Sequence, residues 1–102
     1  MINPQMIKKL QKMQEDMKKA QAEINASTFY GQAGGSVVRV AVKGTKEVIS
    51  IDIKREEVDF TDLEMLQDMI VAALNDAFRK VDKEIEETMG SLTQGMRMPG
   101  MF

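Results

Sequence analysis

The chain has 102 residues, of which 43% are hydrophobic and 29% charged, and its net charge is −2 at pH 7. Cysteine and histidine are both absent, which excludes disulfides, thiolate and imidazole metal ligands, cysteine nucleophiles and a histidine general base. The length suits one small domain covering residues 1–102, and no apolar run is long enough for a signal peptide or a membrane span, so we expect a cytoplasmic protein without a membrane partner.

The first predicted helix spans residues 3–26. Asn3 is the expected N-cap, and Pro4 suits the first turn. Apolar residues then follow at alternating spacings of four and three, which is the seam of a coiled coil: Met6, Leu10, Met13, Met17, Ala20 and Ile24. So narrow a stripe indicates one helical partner, which is either the other long helix or a second subunit.

Residues 27–53 predict a three-stranded antiparallel sheet. The first strand, residues 27–33, is weak because Gly31 interrupts it, whereas residues 37–43 and 48–53 alternate strongly between apolar and polar side chains. A hairpin turn around Gly44 joins these two strands. The valines of the second strand and the isoleucines of the third form apolar faces that need a helix to cover them.

The longest predicted helix covers residues 61–89. Thr61 and Glu64 match a capping box, while Phe60 and Met65 stand where a hydrophobic staple would form. Gly90 follows as the expected stop. The helix should change role near residue 79, because its apolar face is wide before that point and narrow beyond it. The first half is therefore expected to cover the sheet and the second half to project, with residues 90–102 as a flexible tail.

The predicted fold class is α+β, in the order α-β-β-β-α with two long helices. Both helices are longer than the sheet is wide, so the seam of the first and the end of the second would remain exposed in a single chain. We therefore expect a homodimer, most simply with two-fold symmetry. The candidate interface residues are Met6, Leu10, Met13, Met17, Ile24, Val81, Ile85 and Met89.

Catalytic and metal-binding functions lack the residues they need. The glycines at positions 31, 34 and 35 precede a strand rather than a helix, so they do not form an anion site. Met96, Met98 and Met101 could bind a soft metal such as Cu(I), but a flexible apolar tail is the favoured interpretation. We expect no enzyme activity, no cofactor, no metal site and no small-molecule substrate.

Basic residues on the two helices are the remaining candidates for a binding site. Lys8, Lys12 and Lys19 fall within about 40° of one another, opposite the apolar seam, and such a row suits the regular charges of a nucleic-acid backbone. The alternative is ordinary ion pairing along each helix, for example between Asp76 and Lys80. An isoelectric point near 5.2 and the excess of acids in residues 61–89 argue against nucleic acid.

Several short motifs resemble those of one known family. They are LQKMQ at residues 10–14, GGSVV at 34–38, VKG at 42–44, EMLQDMI at 64–70, AALNDA at 72–77 and PGMF at 99–102. With these motifs the chain resembles the YbaB/EbfC family of bacterial nucleoid-associated DNA-binding proteins.

The resemblance implies a tweezer-like homodimer whose protruding helices act on duplex DNA with low or modest sequence specificity. It also implies a location at the nucleoid and a role in nucleoid organisation and gene expression. The resemblance transfers no fixed contact residues, so the DNA-binding candidates remain the basic residues of the helices and the tail: Lys8, Lys9, Lys12, Lys19, Arg79, Lys80, Lys83 and Arg97.

A second function stays open beside this one. The chain could be a protein-interaction scaffold that docks a partner through its methionine-rich seam, with DNA binding incidental. Methionine side chains repack against varied partners, which is the property such a scaffold needs.

Overall fold

The computed structural model describes residues 3–93, and it has the predicted order of two helices around a three-stranded sheet. The elements are α1 (Pro4–Ala26), β1 (Thr28–Ala33), β2 (Val38–Lys43), β3 (Val48–Ile53), a short 3-10 turn (Arg55–Glu57) and α2 (Leu63–Thr93). The radius of gyration is 19.7 Å, well above the roughly 13 Å of a compact chain of this length. The helices therefore extend beyond the sheet, as the sequence predicts.

Helix α1 begins at the predicted cap. The Asn3 side chain accepts a hydrogen bond from the Met6 N–H at 2.7 Å, which satisfies one of the free donors of the first turn. The helix ends where Ser27 adopts an extended backbone and donates from its hydroxyl to the Glu23 carbonyl at 2.7 Å.

The sheet is an antiparallel meander with β2 at its centre. Val38, Val40 and Val42 lie on one face of β2 and are fully buried. In the β2–β3 turn it is Lys46, with φ 70°, that takes the left-handed conformation. Gly44 serves another purpose, since a Cβ there would collide with the carbonyl oxygen of Ile24.

Helix α2 covers the valine row of β2. Ala73, Ala77 and Val81 are fully buried and form one core with the three valines. The helix rests directly on β1, because a Cβ at Gly31 would collide with the Ala73 carbonyl oxygen and come within 2.6 Å of the Ala77 nitrogen. Glycine at position 31 therefore sets how closely the helix approaches the sheet.

The expectation that α2 covers all three strands is wrong for β3. Within residues 3–93, α2 packs on β1 and β2, and of β3 only Ile53 packs against the core that they form. Val48, Ile49 and Ile51 consequently remain 42%, 49% and 42% exposed. The reason is geometric: a helix about 10 Å wide covers about two strands spaced about 4.8 Å apart.

The predicted capping box at the start of α2 is also wrong. The cap is Asp62, whose carboxylate accepts from the Met65 N–H at 3.1 Å. Thr61 is engaged elsewhere, because its N–H and hydroxyl both donate to the Asp59 carboxylate. Phe60 is 57% exposed and Met65 56%, so the predicted staple between them does not form a buried contact.

Helix α2 continues through Gly90 as far as Thr93, the last residue described, which lies four residues beyond the predicted end. Gly90 does not take the left-handed backbone that terminates helices, which among the described glycines occurs only at Gly34 and Gly35. The first four residues of the predicted tail are thus helical, and the remaining ones lie outside the described part of the chain.

The two helices meet beside the sheet. Ala20 and Ile24 of α1 lie beside Glu84 and Thr88 of α2, and Ile24 is only 5% exposed. Toward its N-terminus α1 is exposed on the seam side as well. Met6 is 53% exposed, Ile7 44% and Leu10 37%. At 1.5 Å per residue, roughly 20 Å of α1 extends past the part of α2 that the structure describes.

Candidate nucleic-acid interface

The N-terminal part of α1, residues 4–14, carries positive charge and contains no acidic residue. Its basic residues are Lys8, Lys9 and Lys12. All three lysines are exposed. In the part of the chain that the structure describes, no lysine of α1 forms an ion pair. Lys12 therefore forms no ion pair with Glu15 or Asp16, three and four residues along the helix, and these lysine charges are available to an anionic partner.

The spacing of these lysines follows from the helix. Lys8, Lys12 and Lys19 share one side of α1 and span about 16 Å along its axis. Their side of the helix is opposite the apolar seam, so a molecule bound to the seam would leave them accessible. Because the helix is continuous from Pro4 to Ala26, it presents the three charges as a fixed row.

The basic residues of α2 have a different environment, because Asp76 lies among them. Lys80 Nζ is 3.6 Å from the Asp76 carboxylate and donates to the Tyr30 carbonyl at 2.7 Å. Arg79 is 4.0 Å from the same carboxylate, with its side chain 72% exposed. The predicted helix-face pair Asp76–Lys80 is thus present, and the Lys80 charge is already partly satisfied within the chain.

Lys83 is exposed and has no ion-pair partner among residues 3–93, although Glu87 stands four residues further along the helix. It is nevertheless surrounded by acids, because Asp82, Glu84, Glu86 and Glu87 are its neighbours in sequence. The basic residues of α2 also lie roughly 30 Å along the molecule from Lys8, judged from the helical rise on either side of the Ala20–Thr88 contact. The structure does not bring the two predicted basic groups together. The remaining candidate, Arg97, lies outside the described residues.

The predicted interface residues divide into two groups. Met6 and Leu10 are exposed, while Met13, Met17, Ile85 and Met89 are half-buried. Val81, however, is fully buried and Ile24 nearly so within one chain. These two side chains belong to the packing of a single subunit and leave no surface for a second one.

Sequence reasoning missed one basic group on the uncovered face of the sheet. The Arg39 guanidinium lies over the Tyr30 ring, 5.3 Å from its centroid, and Tyr30 is 51% exposed. Lys43 follows on the same face of β2. The alternation of β2 places Arg39 and Lys43 together, but the contact with Tyr30 depends on the register between β1 and β2, which the sequence does not reveal.

One carboxylate has a shifted pKa, and it lies away from these lysines. The hydroxyl and the N–H of Thr61 hold the pKa of Asp59 below its ordinary value, because both donate to the charged form. Within residues 3–93 no three acidic side chains converge to hold a metal ion. Neither helix of this part is long and apolar enough to cross a membrane.

The comparison with known families decides the membership of the chain. The model of the YbaB/EbfC DNA-binding family matches residues 2–96. The chain belongs to the YbaB/EbfC family. The predicted resemblance is therefore confirmed, and it covers both helices and the whole sheet.

Relatives in the YbaB/EbfC family carry names that refer to the nucleoid. A nucleoid-associated protein of Alkaliphilus metalliredigens is 50% identical over 97 residues, covering 95% of this chain and 85% of the relative. Nucleoid-associated protein OB0030 of Oceanobacillus iheyensis is also 50% identical over 97 residues, covering 95% and 93%.

A solved structure has the same architecture. The uncharacterized protein HP0035 from Helicobacter pylori matches with a TM-score of 0.66 and 22% identity, covering 94% of this chain and 98% of that one. At this identity the match establishes a shared fold.

Proposed function

We propose that the chain is a nucleoid-associated DNA-binding protein that contacts the duplex backbone through the lysines of α1. The observation that carries the proposal is the row of exposed, unpaired lysines on the acid-free, projecting part of that helix. Membership of the YbaB/EbfC DNA-binding family and the names of the relatives support it. The site of action is the nucleoid, with effects on nucleoid organisation and gene expression.

Contacts of this type follow the phosphates rather than the bases. A lysine ammonium is a compact charge on a flexible stem, and it does not present the planar fork by which arginine reads guanine. Attraction to phosphate is independent of sequence and releases counterions. Binding through Lys8, Lys9 and Lys12 should therefore have low or modest sequence specificity and weaken steeply with salt.

We propose further that the DNA-binding form is a homodimer. Helix α2 leaves most of the apolar face of β3 uncovered, and Val48, Ile49 and Ile51 are between 42% and 49% exposed. This patch is continuous with the buried valine row, because Ile51 pairs with Val40. A second copy covering it would complete the core of both subunits.

A two-fold arrangement of this kind would give two projecting α1 helices, which is the tweezer-like shape that the family resemblance implies. The seam offers additional interface surface at Met6, Leu10, Met13 and Met17, together with Ile85 and Met89 of α2. Lysines on the far side of each α1 helix would then stay accessible to DNA without competing with the subunit contact.

The proposal is tested by titrating a fluorescent DNA duplex and measuring anisotropy at several salt concentrations. The triple variant K8Q/K9Q/K12Q should bind far more weakly, and the slope of log K against log salt should fall by about 2.7 per contacting subunit. The matched control K54Q/R79Q/K83Q loses the same net charge outside α1 and should keep most of the slope. Equal losses in both variants would contradict an α1 site, and no binding by the parent at low salt would contradict DNA binding itself.

A protein-interaction scaffold remains the second candidate, favoured by the exposed apolar part of the seam at Met6 and Leu10. Affinity capture from a nuclease-treated lysate separates the two functions. Partners bridged by DNA are lost on nuclease treatment, whereas a partner docked on the seam is retained and is released by charged substitutions at Met6 and Leu10.

A further inference from the structure

The outer edge of β1 is occupied by side chains of α2. In an antiparallel strand alternate residues direct their backbone groups away from the paired neighbour, and Tyr30 and Gln32 are such residues in β1. The Gln32 N–H donates to Asp76 Oδ2 at 3.2 Å. The Tyr30 carbonyl accepts from Lys80 Nζ at 2.7 Å. An outward donor and an outward acceptor of the edge strand are thus both satisfied by one helix.

The close approach of α2 to Gly31 makes this geometry possible. Gly31 lies between the two bonded residues, and its backbone is in contact with Ala73 and Ala77. Asp76 and Lys80 are four residues apart, so they project from the same side of the helix, and their charged groups are 3.6 Å apart. Asp76 accepts a hydrogen bond where the carbonyl of a neighbouring strand would accept one, and Lys80 donates a hydrogen bond where the N–H of that strand would donate one.

The opposite edge of the sheet has no such cover. Within residues 3–93, no side chain and no other strand forms hydrogen bonds with the outward edge of β3, and α2 does not reach it. Three apolar side chains of that strand are also more than 40% exposed. The two edges of one small sheet therefore differ in whether their backbone groups are free to pair.

We propose that the Asp76–Lys80 pair closes the β1 edge against strand addition by a second copy of this chain. If both edges were free, β3 of one molecule could pair with β1 of the next. That contact joins two different surfaces and generates an open chain of subunits rather than a closed pair. Closing β1 confines sheet-mediated association to β3, whether the parent chain is monomeric or dimeric.

The test removes the pair and measures mass by sedimentation velocity across a wide range of protein concentrations. The variant D76A/K80A should form species larger than the parent that grow with concentration. The matched control is K46A/D82A, which removes another Lys–Asp pair, 2.8 Å apart and exposed, without touching the β1 edge. It should keep the parent mass. A D76A/K80A variant with parent mass and a native circular dichroism spectrum would overturn the proposal.

A second substitution separates edge pairing from simple unfolding. Proline at position 32 removes the outward N–H, and edge strands tolerate proline where the N–H faces outward. Adding Gln32→Pro to D76A/K80A should restore the parent mass. Large species that persist in this triple variant would overturn edge pairing as their cause. If D76A/K80A proves unfolded, the milder Lys80→Met, which frees only the Tyr30 carbonyl, should still raise the mass, and an unchanged mass would overturn the proposal.

The parent mass reports separately on the homodimer proposed above. A monomeric parent contradicts that homodimer but leaves the comparison between variant and parent unaffected. A dimeric parent with no change in D76A/K80A contradicts only the closure of the β1 edge.

Discussion

Gly44 lies directly against the main chain of Ile24, so that a Cβ at Gly44 would meet the Ile24 carbonyl carbon at 2.5 Å. The β2–β3 turn therefore rests on the last turn of α1. The Gly44 N–H also donates to the Ser27 carbonyl at 3.1 Å, which ties the turn to the start of the sheet. Through this contact the sheet holds the base of α1, and hence the direction in which its lysines project.

Gly44→Ala should lower the free energy of unfolding by about 1–3 kcal/mol, the usual cost of inserting a methyl group into close-packed surroundings. The obstacle is backbone rather than a flexible side-chain end, so it has little freedom to relax. Chemical denaturation followed by circular dichroism measures the change. A loss below about 0.5 kcal/mol, the range of ordinary surface substitutions, would contradict the close contact.

Gly90→Ala should raise the free energy of unfolding, in contrast to Gly44→Ala. Nothing lies within 4 Å of a Cβ built at Gly90, and the residue is inside α2. Alanine in a helix interior is more favourable than glycine by about 0.5–1 kcal/mol, so the variant should be stabilised by up to that amount in the same denaturation experiment. Destabilisation would indicate that the helix ends at Gly90, as the sequence alone suggests.

Substitutions of Lys8 and Lys80 should differ in effect, the first lowering mainly DNA affinity and the second mainly the stability of the fold. Lys8→Met removes an exposed, unpaired charge, so stability should stay within about 0.5 kcal/mol while the salt slope of DNA binding falls by about 0.9 per contacting subunit. Lys80→Met removes the bond to the Tyr30 carbonyl and should cost about 1 kcal/mol with a smaller change in slope. Anisotropy and denaturation, performed on both variants at low protein concentration, check the contrast, and a reversed order would contradict it.

Asp59 should titrate below its ordinary pKa of 3.8, because Thr61 donates two hydrogen bonds to its charged form. A folded-state pKa below the unfolded value stabilises the fold above the unfolded pKa, and this contribution is lost as the pH falls through the folded value. Thr61→Ala removes the hydroxyl donor and keeps the N–H. Its Asp59 pKa, followed by the NMR shift of the carboxyl carbon, should move part of the way back toward 3.8, and an unchanged titration would contradict the bond.

Much of the fold follows from local pattern. The α1 cap at Asn3, the valine alternation of β2 and the apolar rows of α2 each depend on residues close together in sequence, and all three are predicted. The start of α2 is missed because Asp59, Thr61 and Asp62 compete as local hydrogen-bonding residues. Asp59 engages Thr61, which leaves Asp62 as the cap.

The contacts that position the candidate site are harder to predict because they are distant in sequence. Gln32 and Asp76 are 44 residues apart, and Tyr30 and Lys80 are 50 apart. Their meeting depends on which strand α2 follows, and this depends in turn on the close approach at Gly31. Charge alone therefore groups Lys80 with the free lysines of α1, although its environment is different.

The meander order of the sheet also affects the order in which the chain can fold during its synthesis. Every strand pairs with its neighbour in sequence, so the sheet can form on the ribosome before α2 has emerged from it. Residues 54–81 follow the sheet, and at common translation rates of about 5–20 residues per second they take about one to six seconds to appear. During this interval the valine row of β2 has no helix over it. The valine row therefore stays open to premature association until Ala73, Ala77 and Val81 cover it.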